Sequence, residues 1–126
     1  MDRYIANPPD GASPLAIARG LLRLKRGELL SPPSTRLLLG LMEDSITGKA
    51  RLRGGVPYDW QFAHKTGTGQ DHAGRTAGYN DVGLMTAPDG STYAVVVMIA
   101  EAYRPIAERQ QLMQGVSATV AANHVR

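Results

Sequence analysis

The apolar positions of this 126-residue chain change rhythm once, near its middle. Up to about Gly54 they recur at helical spacing. Leu15, Ala18, Leu21, Leu22 and Leu24 fall on one face, and Leu37, Leu38, Leu41 and Met42 line a second. Each set follows a serine–proline start, Ser13-Pro14 and Ser31-Pro32-Pro33. There a hydroxyl can cap free amides while proline occupies the first helical position. Gly27 is placed to end the first helix, and the second should fade between Ser45 and Gly48. The short loop between them predicts packed neighbours. Upstream, Asn7-Pro8-Pro9-Asp10-Gly11 predicts a loop.

Past Gly54-Gly55 and Pro57 the period becomes that of strands. Trp60 to Thr66, Asp81 to Thr86 and Tyr93 to Ala100 are the three expected, with a hairpin turn at Ala87-Pro88-Asp89-Gly90. Gly67 to Gly78 reads as a polar loop without structure of its own. From Pro105 onward, Ile106, Met113, Val116 and Val120 define the inner side of a last helix, with Glu108, Arg109 and Gln111 around the rest. The prediction is an α+β chain: a three-stranded antiparallel sheet, a preceding helix pair, and a C-terminal helix packed on the sheet. Residues 1–56 form its helical portion and residues 57–126 its sheet portion.

One stretch does not suit so small a sheet. "YAVVVMIA" is apolar on both faces, as in a strand covered above and below and paired on both sides. At the edge of three strands it leaves a row of unpaired amides. The expectation is a partial domain whose open edge takes a further strand, from a missing N-terminal segment or from another copy of the chain.

Composition adds mainly exclusions. No run of eighteen apolar residues is present, so no membrane-spanning helix is expected, and no basic-then-apolar leader opens the chain. Cysteine is absent, which excludes disulfides and thiolate metal sites. The net charge of +3 includes Arg19, Arg23 and Arg26 at helical spacing, which read as a solvated face opposite the leucines. No nucleic-acid signature accompanies them. His64, His72 and His124 lack a metal-ligand spacing, and "GTGQDHAG" does not fit a dinucleotide fingerprint.

Candidate chemistry is concentrated in "FAHKTGTGQ". On a strand, Lys65 and Thr66 point to opposite faces, so a ligand touching both must lie along the strand edge. Gly67 lets it approach the backbone, and Thr68 offers an amide there. An ammonium, a hydroxyl and a free amide along one edge suit a ligand carrying a carboxylate and a polarised carbonyl. The alternative reading of the same residues is an edge lysine that discourages aggregation, with glycines closing a loop.

"WQFAHKTGTG", then "YNDVGLMTAPDGSTYAVVVMIA", then a terminal helix, resembles the C-terminal part of class A serine β-lactamases. The upstream helices, from about Asp10, fit the same order. The resemblance implies hydrolysis of the β-lactam amide through a serine acyl-enzyme, export to the periplasm or beyond the cell membrane, and no metal or cofactor. It implies a larger α+β fold with a five-stranded sheet, of which this chain holds three. By position, Lys65 supplies positive charge and orients a neighbouring serine, and Thr66 binds the substrate carboxylate. Gly67 gives clearance, and the Thr68 amide is half of the oxyanion hole. Many members place an arginine where this chain has Tyr79, and Arg51 stands where some members carry a substitute anchor.

The nucleophile motif of the family is not found. Ser13, Ser31, Ser34, Ser45, Ser91 and Ser117 all lack a lysine three residues on. The chain is therefore expected to be a fragment, a truncated product or one piece of a split enzyme, inactive alone. Two rivals share the residues: part of a penicillin-binding peptidase, and a non-catalytic module that completes its sheet with another chain.

Overall fold

The computed structural model describes residues 3, 6, 7 and 11–125. The loop expected at Asn7 to Gly11 falls mainly on residues 8–10, outside them. Helices α1 (Pro14–Lys25) and α2 (Pro32–Glu43) begin where the serine–proline pairs place them. Ser13 Oγ accepts the Ala16 N–H at 3.2 Å, and Ser31 Oγ accepts the Ser34 N–H at 3.4 Å. A 3-10 turn (Leu52–Gly55) then leads to β1 (Gln61–Thr68). The strands that follow are β2 (Asp71–His72), β3 (Arg75–Thr76), β4 (Tyr79–Thr86) and β5 (Thr92–Ile99), before helix α3 (Ile106–Ala122).

The main sheet is antiparallel with β4 central, in the order β1–β4–β5. Phe62 pairs with Met85 and Thr68 with Tyr79, while Tyr79 pairs with Ile99 on its other side. One face carries Phe62, Tyr79, Met85 and Val95 against Leu52 and Met113. The other carries Ala63 and Leu84 against Leu21 and Leu24 of α1 and Met42 of α2. The strand register thus sends even residues of β1 toward α3 and odd residues toward the helix pair. β5 lies at the edge, as expected, and only Val95 in it is fully buried.

Three expectations are corrected. The run from Gly67 to Gly78 is ordered: β1 continues to Thr68, and β2 and β3 form a small hairpin through Ala73 and Gly74, both at positive φ. Such a pair matches the right-handed twist of the strands. Helix α2 does not bury its leucine face. Leu37 and Leu41 are 66% and 63% exposed, because the sheet takes the stripe of Thr35, Leu39 and Met42. Three consecutive leucines cannot share one stripe about 100° wide. In α3, Ile106 is exposed, whereas Arg109, Met113 and Ser117 form the buried line at four-residue spacing. Helices α1 and α2 do meet, as the short loop predicts, and each packs mainly on the sheet: α1 along β5 and β4, and α2 along β1.

The β4–β5 turn is tied to the end of α3. Asp89 accepts the Ser91 N–H at 2.9 Å and lies 3.2 Å from His124 Nε2, while His124 Nδ1 is 2.8 Å from the Tyr93 hydroxyl. The backbone hydrogen bond from Ser91, with His124 assisting, holds the Asp89 carboxyl below its ordinary 3.8. A lowered folded-state pKa stabilises the fold above the unfolded value, and the effect is lost as pH falls through the folded one. Thermal melts at descending pH should therefore show wild type above Asp89→Asn near neutrality. The gap should close in acid below 3.8.

Candidate functional site

The last turn of β1 is where the candidate residues meet. β4 pairs with only one side of β1, and the Gly69 N–H is bonded toward that side, to Gly78 O at 2.8 Å. Successive amides of a strand alternate sides, so the Thr68 N–H lies on the open edge. Lys65 is exposed on the face of Ala63, and its ammonium turns back to the Thr66 carbonyl. Thr66 is buried on the opposite face, its Oγ1 2.9 Å from Thr47 Oγ1, which lies 3.2 Å from Ser45 Oγ. Three hydroxyls are thereby strung from the surface to the strand. Gly48 allows this approach: its φ is 66°, and a Cβ there would overlap the Thr66 methyl.

Arg51 is brought to the same end of the strand. Its side chain reaches under β1, where Nη1 donates to Gly67 O at 2.9 Å and to Asn80 O at 2.7 Å, and Nη2 donates to Thr68 Oγ1. The residue is only 9% exposed, so it is no surface arginine like its neighbour Lys49. The guanidinium lies 3.8 Å from the centroid of Tyr79, whose other contact of this kind is Arg109 at 4.8 Å. Among the described residues no carboxylate pairs with Arg51, Arg109 or Lys65. A buried cation without a counter-charge is costly unless an anion completes it.

Behind this cluster stands a pair that the sequence pattern did not single out. His64 Nδ1 and Asp81 Oδ1 are 2.8 Å apart, both side chains fully buried, and Asp81 Oδ2 accepts the Leu52 N–H at 3.2 Å. Since Leu52 follows Arg51, the carboxylate sets the backbone from which the arginine departs. The available signal was an acidic residue inside the apolar run "YNDVGLM", a position that demands a partner. All five sequence-derived candidates (Arg51, Lys65, Thr66, Gly67 and Thr68) therefore converge on one strand end. Tyr79, Asp81, Thr47 and Arg109 join them. Among the described residues no cluster could hold a metal ion.

A sequence profile of the β-lactamase enzyme family matches residues 5–124. The chain belongs to that family. A β-lactamase of Mycobacterium tuberculosis is 40% identical over 89 residues, covering 71% of this chain and 27% of that protein. An ancestral class A β-lactamase superposes with a TM-score of 0.83 at 30% identity, over 94% of this chain and 44% of that one. The structure of PBP-A in an acyl-enzyme complex with penicillin G gives 0.74 at 30% identity, over 88% and 39%. The likeness is to class A serine β-lactamases, and the α+β architecture described above is that of part of their fold. The chain spans about a third of the length of the curated relatives it matches.

Proposed function

We propose that this chain forms the carboxylate-binding and oxyanion side of a β-lactam-hydrolysing site. The observation that carries the reading is Arg51: a buried guanidinium with no acid partner among the described residues, fixed against Thr68 at the strand end that also bears the exposed Lys65. A β-lactam antibiotic presents a carboxylate and a strained acyl carbonyl, which is the pairing this edge accommodates. The Thr66 hydroxyl and Arg51 receive the carboxylate, Gly67 leaves room, and the Thr68 N–H meets the carbonyl oxygen as it becomes an oxyanion. One such donor is worth about 2.7–4 kcal/mol of transition-state stabilisation.

In the reaction a serine oxygen attacks the carbonyl, the ring C–N bond breaks with its nitrogen taking a proton, and water then releases the acyl group. Lys65 contributes positive charge and orients that serine. No serine of these 126 residues stands in the required relation to a lysine. The chain thus holds the receiving half of the chemistry. The whole protein's compartment, periplasmic or outside the cell membrane, belongs to the same proposal. Among the described residues no helix is long and apolar enough to cross a membrane.

The test is twofold. Benzylpenicillin added to isotope-labelled chain should shift the amide signals of Lys65 to Thr68, and the purified chain should not hydrolyse a chromogenic cephalosporin. Absence of those shifts overturns the binding role. Serine-dependent turnover at ordinary enzyme rates overturns the division of labour. The likeness to PBP-A supports a second reading, a penicillin-binding peptidase. Acyl-enzyme lifetime in a full-length parent separates the two, since rapid deacylation marks a lactamase.

A further inference from the structure

We infer that Tyr79 is a positioning residue of the carboxylate site, its ring holding the Arg51 guanidinium in register with Thr68. The inference rests on the reading of Arg51 just given and concerns what keeps that side chain ready. Arg51 has five N–H donors. Gly67 O, Asn80 O and Thr68 Oγ1 take three of them, leaving Nε and one proton of Nη2 for a ligand. The three acceptors lie on neighbouring strands and fix one end of the guanidinium. None of them resists its swinging out of their plane. The Tyr79 ring does, because the guanidinium carbon stands over its face, 3.8 Å from the centroid.

The ring is itself held. Tyr79 is 3% exposed, its backbone faces Thr68 on one side and Ile99 on the other, and its hydroxyl accepts from Gln110 Nε2 at 3.3 Å. Arg109 covers the ring's second contact at 4.8 Å and is tethered through Nε to Arg104 O at 3.1 Å. A buried ring held at its hydroxyl and in contact with two guanidiniums has no room to rotate away, so Arg51 meets an incoming carboxylate without first being ordered. Such preorganisation lowers the cost of binding. The ring's π-face adds its attraction to the three hydrogen bonds that hold the guanidinium, and leaves the place of a counter-ion to the ligand.

The experiment compares benzylpenicillin with its methyl ester, titrated into isotope-labelled chain and followed at the Lys65 to Thr68 amides. Wild type should prefer the acid. Tyr79→Leu should lose about tenfold of that preference, a factor between those that exposed and desolvated cation–ring contacts carry. Its affinity for the ester should be unchanged. Tyr79→Phe, which keeps the ring, should restore the preference. Should Tyr79→Leu fail to melt cooperatively, Tyr79→Met carries the same comparison. An acid-to-ester ratio unchanged in the ring-less variant overturns the inference. Equal weakening of acid and ester also overturns it, because that is the mark of a merely structural role. A wild type without preference for the acid instead sinks the carboxylate reading of Arg51 on which it stands.

Discussion

Replacing Asp81 by alanine is expected to destabilise the chain by about 3–5 kcal/mol, the range for removing one partner of a buried pair. The carboxylate lies wholly inside the sheet face covered by α3, accepts the Leu52 N–H and sits 2.8 Å from His64 Nδ1. Alanine leaves the Leu52 amide and the histidine nitrogen without an acceptor, and solvent cannot reach either. His64 Nε2 is already buried without a partner, so the ring would lose its one hydrogen-bonded anchor. Domains of this size unfold with about 5–15 kcal/mol in all, so the variant should melt far earlier or fail to fold. Asp81→Asn, which retains an acceptor for Leu52, should cost less. Urea unfolding of the three proteins measures the differences. If both variants fall within about 0.5 kcal/mol of wild type, the range of an ordinary surface change, the pair does not organise the strand.

The second large effect is expected at Gly55. The 3-10 turn that delivers Arg51 lies directly on α3, and a Cβ at Gly55 would overlap the Gln114 carbonyl oxygen and come within 2.5 Å of Ser117 Oγ. A helix carbonyl cannot retreat by a rotamer change, so Gly55→Ala must lift the turn from the helix. The Ser117 Oγ bond to Leu52 O at 2.6 Å and the Gln114 Nε2 bond to Ala50 O at 2.7 Å would stretch or break. Forcing volume into such a contact costs about 1–3 kcal/mol, and more where backbone is the obstacle. Gly20, within α1, is the matched control: nothing lies within 4 Å of a Cβ there. Gly20→Ala should stabilise by about 0.4–1 kcal/mol by restricting the unfolded chain. A scan in which the two alanines shift Tm alike would refute the close seating of the turn.

What the sequence made legible were features decided by local chemistry. The Ser13-Pro14 and Ser31-Pro32 starts, the turn at Ala87 to Gly90 and the three principal strands depend on residues within a few positions of each other. The same holds for the opposition of Lys65 and Thr66 across one strand. Other features depend on which of two adequate faces the sheet selects. Helix α2 offers leucines on several sides, and the choice of Thr35, Leu39 and Met42 is made by the strands beneath it. Arg109 reads as a polar helix residue, and only Tyr79 opposite makes its burial intelligible. The short hairpin through Ala73 and Gly74 carries too few apolar residues to announce a strand. Its β3 is tied down by Ala102, through hydrogen bonds from far along the chain. In the candidate site, the strand edge could be read from "KTGTG" alone. The support behind it (His64, Asp81, Tyr79) is assembled from two strands and appears only when their register is known.

The bond between Ser117 and Leu52 joins residues 65 apart in the chain. The β4–β5 hairpin can zip in microseconds, because its strands are joined by a five-residue connection. The turn bearing Arg51 is held to β1 and β4 by shorter-range bonds, but its seating is complete only when α3 has returned across the sheet, and closing so long a loop costs entropy before that last contact rewards it. The proposed anchor for the carboxylate is thus expected to be among the last parts of the molecule to acquire its final place during folding. Nascent or partly unfolded chain can present a well-formed hairpin and still have no site.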